Sequence, residues 1–312
     1  PHTKGTIMRA ICPNCAGTHV KKRGIRRGLQ RWTCKVCTRY FSTPKHIEES
    51  GILPKILLFD IETALMEVYV WGLFKQRIPH TNIIKDRNGN EKSWFVLSWA
   101  AKWLYGDIMS DIVTPEEAKS RKDNRVLKSI WKLLDEADIV IAHNGDRFDI
   151  RKLNARFLDN GMNPPSPYKS IDTLKITRRE FAFVSYKQDF LTKHFKLEQK
   201  LGTDFQLWVD CQAGNQDALD RMQEYNQHDV LGLEDVYLKV RPFIKNHPNL
   251  GVLLDMDVCP NCACENIDET EAVYFTGANK FPVYRCAGCK SPYIRHKKNS
   301  SQFKTNLRSV AS

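Results

Sequence analysis

Four apolar runs in the middle of the chain predict β-strands. KILLFDIET (residues 55–63) and ADIVIAHN (137–144) are apolar runs that become polar at their ends, as strands buried on both faces do. MEVYVWGLF (66–74) and SWFVLSWAAKWLY (93–105) are rich in aromatic and β-branched residues and predict two further strands. An Asn88-Gly89 pair between the last two runs predicts a turn.

Helical spacing of apolar residues predicts three helices in the same region. The first covers about Lys119 to Ala137, and the second covers about Arg147 to Leu158, directly after the strand ADIVIAHN. A long helix is predicted from about Asp217 to Phe243, because apolar residues recur there at intervals of three and four. Strands followed by helix, strand and helix, then a long helix, predict an α/β domain with a mixed sheet.

The chain of 312 residues is long enough for about two domains. We predict five segments from composition and cysteine spacing: an N-terminal cysteine module (1–46), a linker (47–54), the α/β domain (55–248), a second cysteine module (249–297) and a polar tail (298–312). The tail KKNSSQFKTNLRSVAS is basic and its composition is typical of disorder.

Positive charge is concentrated at the N-terminus. The net charge is +12, and residues 1–46 contain eleven Lys or Arg and no Asp or Glu. Residues 47–248 are close to neutral by count, with 29 basic and 30 acidic side chains. This asymmetry favours a polyanionic partner, most simply nucleic acid, although a solvated basic end without a specific partner has the same composition.

Four acidic residues in three separate motifs lie beside the predicted apolar elements: Asp60 and Glu62, Asp149, and Asp229. Asp60 and Glu62 are two apart on a strand, so both side chains lie on one face. Tyr225 and Asp229 are four apart on a helix and share a face as well. Taken singly, the motifs fit a surface pair, a helix N-cap and an ordinary helical face.

Together the four carboxylates predict a metal site. Converging buried carboxylates need cations, because uncompensated buried charge is very costly. Oxygen ligands of this kind suit Mg²⁺ or Mn²⁺, and two such ions form the clamp that supports in-line displacement at phosphorus. The sequence therefore predicts a metal-dependent nuclease.

Three motifs, FDIET, NGDRFD and YNQHD, resemble the exonuclease motifs of the DEDD superfamily, which has a ribonuclease H-like fold. The Tyr-x-x-x-Asp form of the third resembles the DEDDy branch, which includes the proofreading domains of family B DNA polymerases; the DEDDh branch would have His where Glu224 stands. SIDTLKITRREFAF, KLEQKLGTDFQLW and EYNQHDVLGLEDVYLKVRPFIKNHPN resemble phage and bacterial predicted 3′–5′ exonucleases. The resemblance covers about residues 55–248.

The resemblance implies a role for each matching residue. Asp60 would bridge two Mg²⁺ or Mn²⁺ ions, Glu62 and Asp229 would hold the ion that activates water, and Asp149 would help to hold the other. Tyr225 would position the attacking water, and the product would be a nucleoside 5′-monophosphate. Asn144 and Phe148, beside Asp149, are candidate contacts to nucleic acid. Asp172, Arg178 and Lys200 are weaker candidates for a supporting role, and His143 is expected to be structural.

Cys12, Cys15, Cys34 and Cys37 have the spacing of a four-thiolate zinc ribbon. A redox dithiol would need a single CxxC at a helix start, which this segment does not predict. The segment resembles the N-terminal ribbon of IS1-type transposases. Its basic residues are candidate phosphate contacts: Lys21, Lys22, Arg23, Arg26, Arg27 and Arg31. Trp32 and Phe41 are expected to pack the small core of the ribbon rather than to stack on bases.

Cys259, Cys262, Cys286 and Cys289 predict a second structural zinc site, with Cys264 as an alternative to Cys262. Its surroundings are near neutral, so it would brace the neighbouring domain or bind a protein rather than nucleic acid.

The resulting hypothesis is a 3′–5′ exonuclease for single-stranded nucleic acid, with DNA favoured over RNA. Two alternatives stay open at this point: an endonuclease or transposase-like strand-transfer enzyme, and a non-catalytic replication accessory protein. Replication or repair proteins are expected partners. No apolar run of about 18 residues predicts a membrane span, and a cytoplasmic location in a bacterial or phage-infected cell is expected.

Overall fold

The computed structural model of the chain describes residues 19–26, 29–36, 38, 40–44, 54–74, 76–197, 202–254, 256–295 and 307–309. The chain divides into two compact units, one formed by Lys55–Val240 and the other by Pro1–Pro54 with Arg241–Ser312. The five predicted segment boundaries stay predictions.

A five-stranded mixed sheet forms the centre of the unit Lys55–Val240. Its strands are β4 (Ile56–Thr63), β5 (Val96–Trp103), β6 (Ile108–Ile112), β7 (Ile139–Ala142) and β8 (Lys169–Asp172), in the order β6-β5-β4-β7-β8. β4 pairs with β5 antiparallel and with β7 parallel, so it lies in the middle of the sheet. The β4–β5 register shifts between Glu62 and Thr63, and such a bulge bends the strand at its carboxyl end.

Seven helices connect and cover these strands in the described part of the unit. They are α1 (Pro115–Ser120), α2 (Asn124–Glu136), α3 (Asp149–Asp159), α4 (Thr173–Glu180), α5 (Gln188–His194), α6 (Phe205–Gln212) and α7 (Gln216–Val240), with a 3₁₀ turn at His80–Asn82. The helix predicted from Lys119 to Ala137 is two helices, because Arg121 adopts a left-handed conformation (φ 55°) that ends α1.

Alternating side chains of β4 serve two different purposes. Leu57, Phe59 and Ile61 are buried in the main hydrophobic core together with apolar side chains of α2 and α3. Asp60 and Glu62 alternate with them and lie on the other face of the strand. The long helix α7 contacts β4, β5 and β6. Sequence alternation thus separates the core face from the acidic face.

The prediction of a strand at MEVYVWGLF (66–74) is wrong. In that segment only Val68 forms a β-bridge, to Ile83, and the run from Trp71 to Phe74 is exposed. Aromatic and β-branched residues fit a pleated, half-buried surface, so without a partner strand their preference does not produce a strand. The predicted Asn88-Gly89 turn is present, with Gly89 at φ 83° and its N–H donated to the carbonyl of Asp86.

The second unit contains two small antiparallel sheets. One has β1 (Val20–Arg26), β2 (Leu29–Cys34) and β3 (Tyr40–Pro44) in the order β1-β2-β3. The other has β9 (Ile267–Phe275), β10 (Lys280–Cys286), β11 (Pro292–Arg295) and β12 (Leu307–Ser309), in the order β12-β11-β10-β9. A 3₁₀ turn (Arg241–Phe243) and a short helix, α8 (Leu250–Leu253), precede β9. No helix among the described residues is long and apolar enough to cross a membrane.

Candidate metal and nucleic-acid site

Three of the predicted carboxylates meet beside the end of β4. One oxygen each from Asp60, Glu62 and Asp229 lies within 4.8 Å of the other two. Asp60 and Glu62 come from the polar face of β4, and Asp229 comes from α7 and is 6% exposed. A strand and a helix that are about 170 residues apart in sequence therefore supply one group of oxygen ligands.

A buried amide holds Asp60 in place. Asn226, fully buried on α7, donates its Nδ2–H to Asp60 Oδ2 over 2.7 Å. Its Oδ1 accepts a hydrogen bond of 3.1 Å from the Ser98 hydroxyl of β5. Since Asn226 uses both ends of its amide, it fixes the orientation of the Asp60 carboxylate relative to the sheet.

An indole plays the corresponding part for Glu62. Trp208 on α6 donates its Nε1–H to Glu62 Oε2 over 3.2 Å. The same indole packs edge-on against Tyr225, with ring centroids 6.0 Å apart and an interplanar angle of 76°. One side chain therefore positions both a candidate metal ligand and the candidate water-orienting phenol. Asn226 and Trp208 were both absent from the predicted site.

Asp149 begins α3 and is 2% exposed. Its Oδ1 accepts the N–H of Ile61, the residue between Asp60 and Glu62, over 3.1 Å. Burial, followed by repulsion from Asp60, raises the pKa of Asp149 well above its usual value. The fourth carboxyl thus lies close enough to the other acidic groups to interact with them electrostatically, although it is not one of the three whose oxygens converge.

A tight turn between β7 and α3 brings Asp149 to this position. A Cβ on Gly145 would lie 2.4 Å from the Cβ of Ala142, so the close approach requires glycine. Asn144, at φ 70°, accepts N–H groups of Arg147 and Phe148 at its carbonyl. The HNGDRFD motif is therefore a turn and a helix start as well as a source of a carboxylate.

Asp172 and His143 support this turn instead of joining the carboxylates. Asp172 Oδ1 accepts the Asn144 N–H over 3.0 Å and caps α4 through the N–H groups of Leu174 and Lys175. His143 is hydrogen-bonded to the Thr173 hydroxyl and to the Tyr186 carbonyl, each over 2.9 Å. Arg178 lies over the ring of Tyr186, and Lys200 lies outside the described residues.

An open cleft of about 620 Å³ lies against Glu62. Its lining includes Trp94, Phe148, Lys152 and Phe205. The Lys152 ammonium lies 4.0 Å from the centroid of Trp94 and 4.9 Å from that of Phe148, and it donates to the Thr63 hydroxyl over 3.2 Å. Burial lowers the pKa of Lys152. Aromatic rings and a cation beside a carboxylate group suit a nucleotide, with stacking surfaces for the base and a charge for the phosphate.

The chemistry of the carboxylate group fits a divalent cation. Three oxygens in reach of one another are hard ligands of the type that Mg²⁺ and Mn²⁺ prefer. Burial is the larger cause of the raised pKa of Asp149, and repulsion from the Asp60 carboxylate adds to it. A bound cation would relieve this repulsion. The evidence for a cation site here is the position of the carboxylates in the fold, and it does not depend on the order of the motifs in the sequence.

Four cysteines of the C-terminal module form a second group of candidate metal ligands. Cys259, Cys262, Cys286 and Cys289 bring their sulfur atoms within 4.8 Å of one another. The Cys259–Cys289 and Cys262–Cys286 sulfur pairs are 3.5 and 3.6 Å apart. A tetrahedron with Zn–S bonds of about 2.3 Å has sulfur–sulfur edges of roughly 3.8 Å, whereas a disulfide is about 2.05 Å long. The group therefore fits a zinc ribbon, and Cys264 is not one of its four members.

Most of the predicted N-terminal site lies outside the described residues. Cys12, Cys15, Cys37 and Arg27 are there, and the side chains of Lys22, Arg26 and Arg31 are not described. Cys34 is buried and Trp32 is 7% exposed, so this indole lies in the interior of the small sheet, as expected. Lys21 is exposed, and Arg23 donates to the Thr33 hydroxyl over 3.0 Å. The N-terminal zinc site and its basic contacts stay predictions.

Comparison with known proteins gives one family match. A family model described as the RNase H superfamily matches residues 57–241, more than half of the chain. The solved family B DNA polymerase from the hyperthermophilic archaeon Pyrobaculum calidifontis is 18% identical, with a TM-score of 0.42. That alignment covers 62% of this chain and 25% of the polymerase chain. No curated protein matches in sequence. The family match and the mixed five-stranded sheet with its helices confirm the predicted ribonuclease H-like α/β fold.

Proposed function

Because the chain belongs to the RNase H superfamily, we propose that it is a metal-dependent 3′–5′ exonuclease acting on single-stranded nucleic acid, with DNA favoured over RNA. Family membership supports nuclease activity in general. The observation that carries the specific proposal is the convergence of Asp60, Glu62 and Asp229 oxygens beside the buried Asp149.

In this proposal the four carboxylates hold two Mg²⁺ or Mn²⁺ ions. When bound, such ions supply charge stabilisation at the phosphate and lower the pKa of a water molecule. Asn226 keeps Asp60 oriented through the 2.7 Å hydrogen bond, and Trp208 does the same for Glu62. These contacts preorganise the ligands, so little reorganisation is needed when charge develops.

Tyr225 supports attack from water rather than from a hydroxyl of the protein. It stands one helical turn before Asp229 on α7, and its ring packs against the Trp208 indole. In this position its phenol would hold the water by a hydrogen bond. The products would then be a nucleoside 5′-monophosphate and a strand shortened at its 3′ end.

The cleft beside Glu62 supports a single-stranded substrate. The cleft is open to solvent, so a single strand can enter it without a change in the protein. Phe148 and Phe205 are 38% and 69% exposed and offer faces on which a base can stack. Lys152, held between Trp94 and Phe148, would contact the terminal nucleotide. Neither Lys152 nor Phe205 belonged to the site predicted from sequence.

A time course on 5′-labelled single-stranded DNA and RNA of equal sequence tests the proposal. We expect a ladder that shortens from the 3′ end in Mg²⁺ or Mn²⁺ and is lost in the Asp60→Ala/Glu62→Ala variant. Glu224→Gln is the matched control, because Glu224 is an exposed carboxylate on the same helix as Asp229. Cleavage of a covalently closed circular strand, or a ladder unaffected by the double substitution, would contradict the proposal.

A further inference from the structure

Four large apolar side chains are exposed together within the segment between β4 and β5. Tyr69 is 69% exposed, Trp71 100%, Leu73 91% and Phe74 89%; we call these four residues the aromatic lip. Single exposed apolar residues are normal on protein surfaces. Four within six positions form a patch of the kind that marks an interaction site.

The segment that carries the aromatic lip begins and ends at the candidate active-site cleft. Met66, before the lip, and Trp94, after it, both line the cleft together with Glu62. Arg121 binds both ends of the segment by donating to the carbonyls of Leu65 over 3.3 Å and of Ser93 over 2.7 Å. Arg121 therefore holds together the two ends of the segment that carries the lip, and both ends lie at the wall of the cleft.

Hydrogen bonds continue across the segment towards the lip. The Glu67 N–H is donated to the Lys92 carbonyl over 3.1 Å, and the Tyr69 N–H to the Asn82 carbonyl over 2.9 Å. The Asn82 side chain returns a hydrogen bond to the Tyr69 carbonyl over 3.0 Å. The part of the segment before the lip is thus hydrogen-bonded to the part after it up to Tyr69, and the exposed rings follow immediately.

The basic residues in this segment favour nucleic acid as the ligand of the lip. From residue 69 to residue 85 the sequence contains Lys75, Arg77 and Lys85 and no Asp or Glu. Arg77 and Lys85 are exposed. Exposed aromatic rings combined with positive charge bind single-stranded nucleic acid, because bases stack on the rings while phosphates interact with the cations.

We infer that the aromatic lip binds bases of a single strand upstream of the 3′ end that occupies the cleft. This inference rests on the proposed nuclease function and adds a second contact with the same strand. Trp71 is five residues from Met66, which lines the cleft. An extended chain spans at most about 3.5 Å per residue, so Trp71 lies no more than roughly 18 Å from Met66. At about 3.4 Å per nucleotide, this maximum distance corresponds to at most roughly five nucleotides.

Equilibrium binding without added Mg²⁺ or Mn²⁺ tests the inference, because it requires no cleavage. The probes are a labelled oligonucleotide of about 20 nucleotides and a trinucleotide, measured by fluorescence anisotropy and by competition. For Trp71→Ala/Phe74→Ala we expect the Kd of the longer strand to rise at least about tenfold, since two stacking rings are lost. The rise should be smaller for the trinucleotide, because with its 3′ nucleotide in the cleft it has fewer bases left to stack on the lip.

Two further variants separate stacking from other effects. Trp71→Phe/Phe74→Tyr keeps two rings and should bind like the original protein, whereas Trp71→Leu/Phe74→Leu keeps apolar area without rings and should bind weakly. Leu158→Ala/Phe275→Ala removes two other strongly exposed apolar side chains, 78% and 73% exposed, and should leave the Kd unchanged.

An unchanged Kd in the alanine double variant, or an original protein that binds no single strand, would overturn the inference. Equal weakening for both oligonucleotide lengths would overturn it too, since it would place the rings at the 3′-terminal nucleotide. The original protein could bind single strands that the lip variant does not bind, while neither protein cleaves them. This result would support the inference about the aromatic lip and contradict the exonuclease proposal.

Discussion

Replacing Asn226 with alanine should weaken cation binding without touching a carboxylate. The substitution removes the 2.7 Å hydrogen bond to Asp60 and leaves the Ser98 hydroxyl without the acceptor that Asn226 provides. A hydrogen bond to a charged group contributes about 1.5–3 kcal/mol, and each 1.36 kcal/mol is a factor of ten. We therefore expect the affinity for the cation to fall roughly 10- to 150-fold. Loss of a residue that orients a metal ligand costs about 10–100-fold, in agreement with this range.

The assay is the rate of 3′ cleavage as a function of Mg²⁺ concentration, with thermal melting of the same samples. Asn226→Ala should need a higher Mg²⁺ concentration for half-maximal rate and should also melt at a lower temperature. Asn261→Ala is the matched control, because Asn261 is 1% exposed and donates to Ser291 over 3.2 Å and to the Arg241 carbonyl over 3.1 Å. It should lower the melting temperature while leaving the Mg²⁺ dependence unchanged.

The reasoning would be refuted if Asn226→Ala lowered stability as Asn261→Ala does and kept the Mg²⁺ dependence of the original protein. Asn226 would then be an ordinary buried amide. Asn226→Asp gives a second view, because it keeps the shape of the side chain but brings another carboxylate to Asp60. We expect it to impair cleavage more than alanine does, owing to like-charge repulsion.

Three further predictions follow from other contacts. Trp208→Phe keeps a ring but removes the donor to Glu62, and we expect kcat to fall about tenfold with a smaller change in KM in steady-state kinetics. The pKa of Asp149 is raised in the folded protein, so the metal-free stability should fall as the pH rises through that raised value. Asp149→Asn should therefore melt at a higher temperature than the original protein at neutral pH. This difference should vanish below about pH 3, where the carboxyl is protonated in both the folded and the unfolded protein. Cys286→Ser should lower the zinc content of the purified protein by one ion per chain, measured by elemental analysis, and an unchanged content would exclude Cys286 as a ligand.

Much of the fold follows from local pattern. The strand β4 is predictable because an apolar run becomes polar within one element, and the same run contains Asp60 and Glu62. The helix α7 is predictable because Met222, Leu233 and Val236 recur on one face, and that face also contains Asp229. In both elements one periodicity places apolar residues in the core and carboxylates at its edge.

Contacts between distant parts of the chain could not be predicted in this way. Asn226 and Asp60 are 166 positions apart, and Trp208 and Glu62 are 146 apart. A signal for Asn226 does exist, since it is a polar residue three positions before Asp229 on the inward face of a helix, where a polar group needs a partner. Trp208 gives no comparable signal, because a tryptophan in a short amphipathic helix is most simply a core residue.

The segment containing Trp71 shows the opposite error. Its aromatic and β-branched residues predict a strand, but β-propensity describes packing on a sheet, and this segment has only an isolated bridge. Local composition thus identified an unusual segment and assigned it the wrong structure. The exposure of Trp71 and Phe74, which only the fold reveals, replaces the predicted strand with an exposed surface for which we propose a binding role.

Mn²⁺ titration of the zinc-loaded protein, with the free ion followed by electron paramagnetic resonance and 3′ cleavage measured in the same samples, tests the central claim most directly. We predict that Mn²⁺ binds to the group of Asp60, Glu62 and Asp229, that cleavage rises over the same concentration range, and that Asp60→Asn loses both. Glu224→Gln should retain both. Mn²⁺ binding that is unchanged in Asp60→Asn, or cleavage that proceeds without any bound Mn²⁺ or Mg²⁺, would contradict the assignment of these carboxylates as the catalytic metal site.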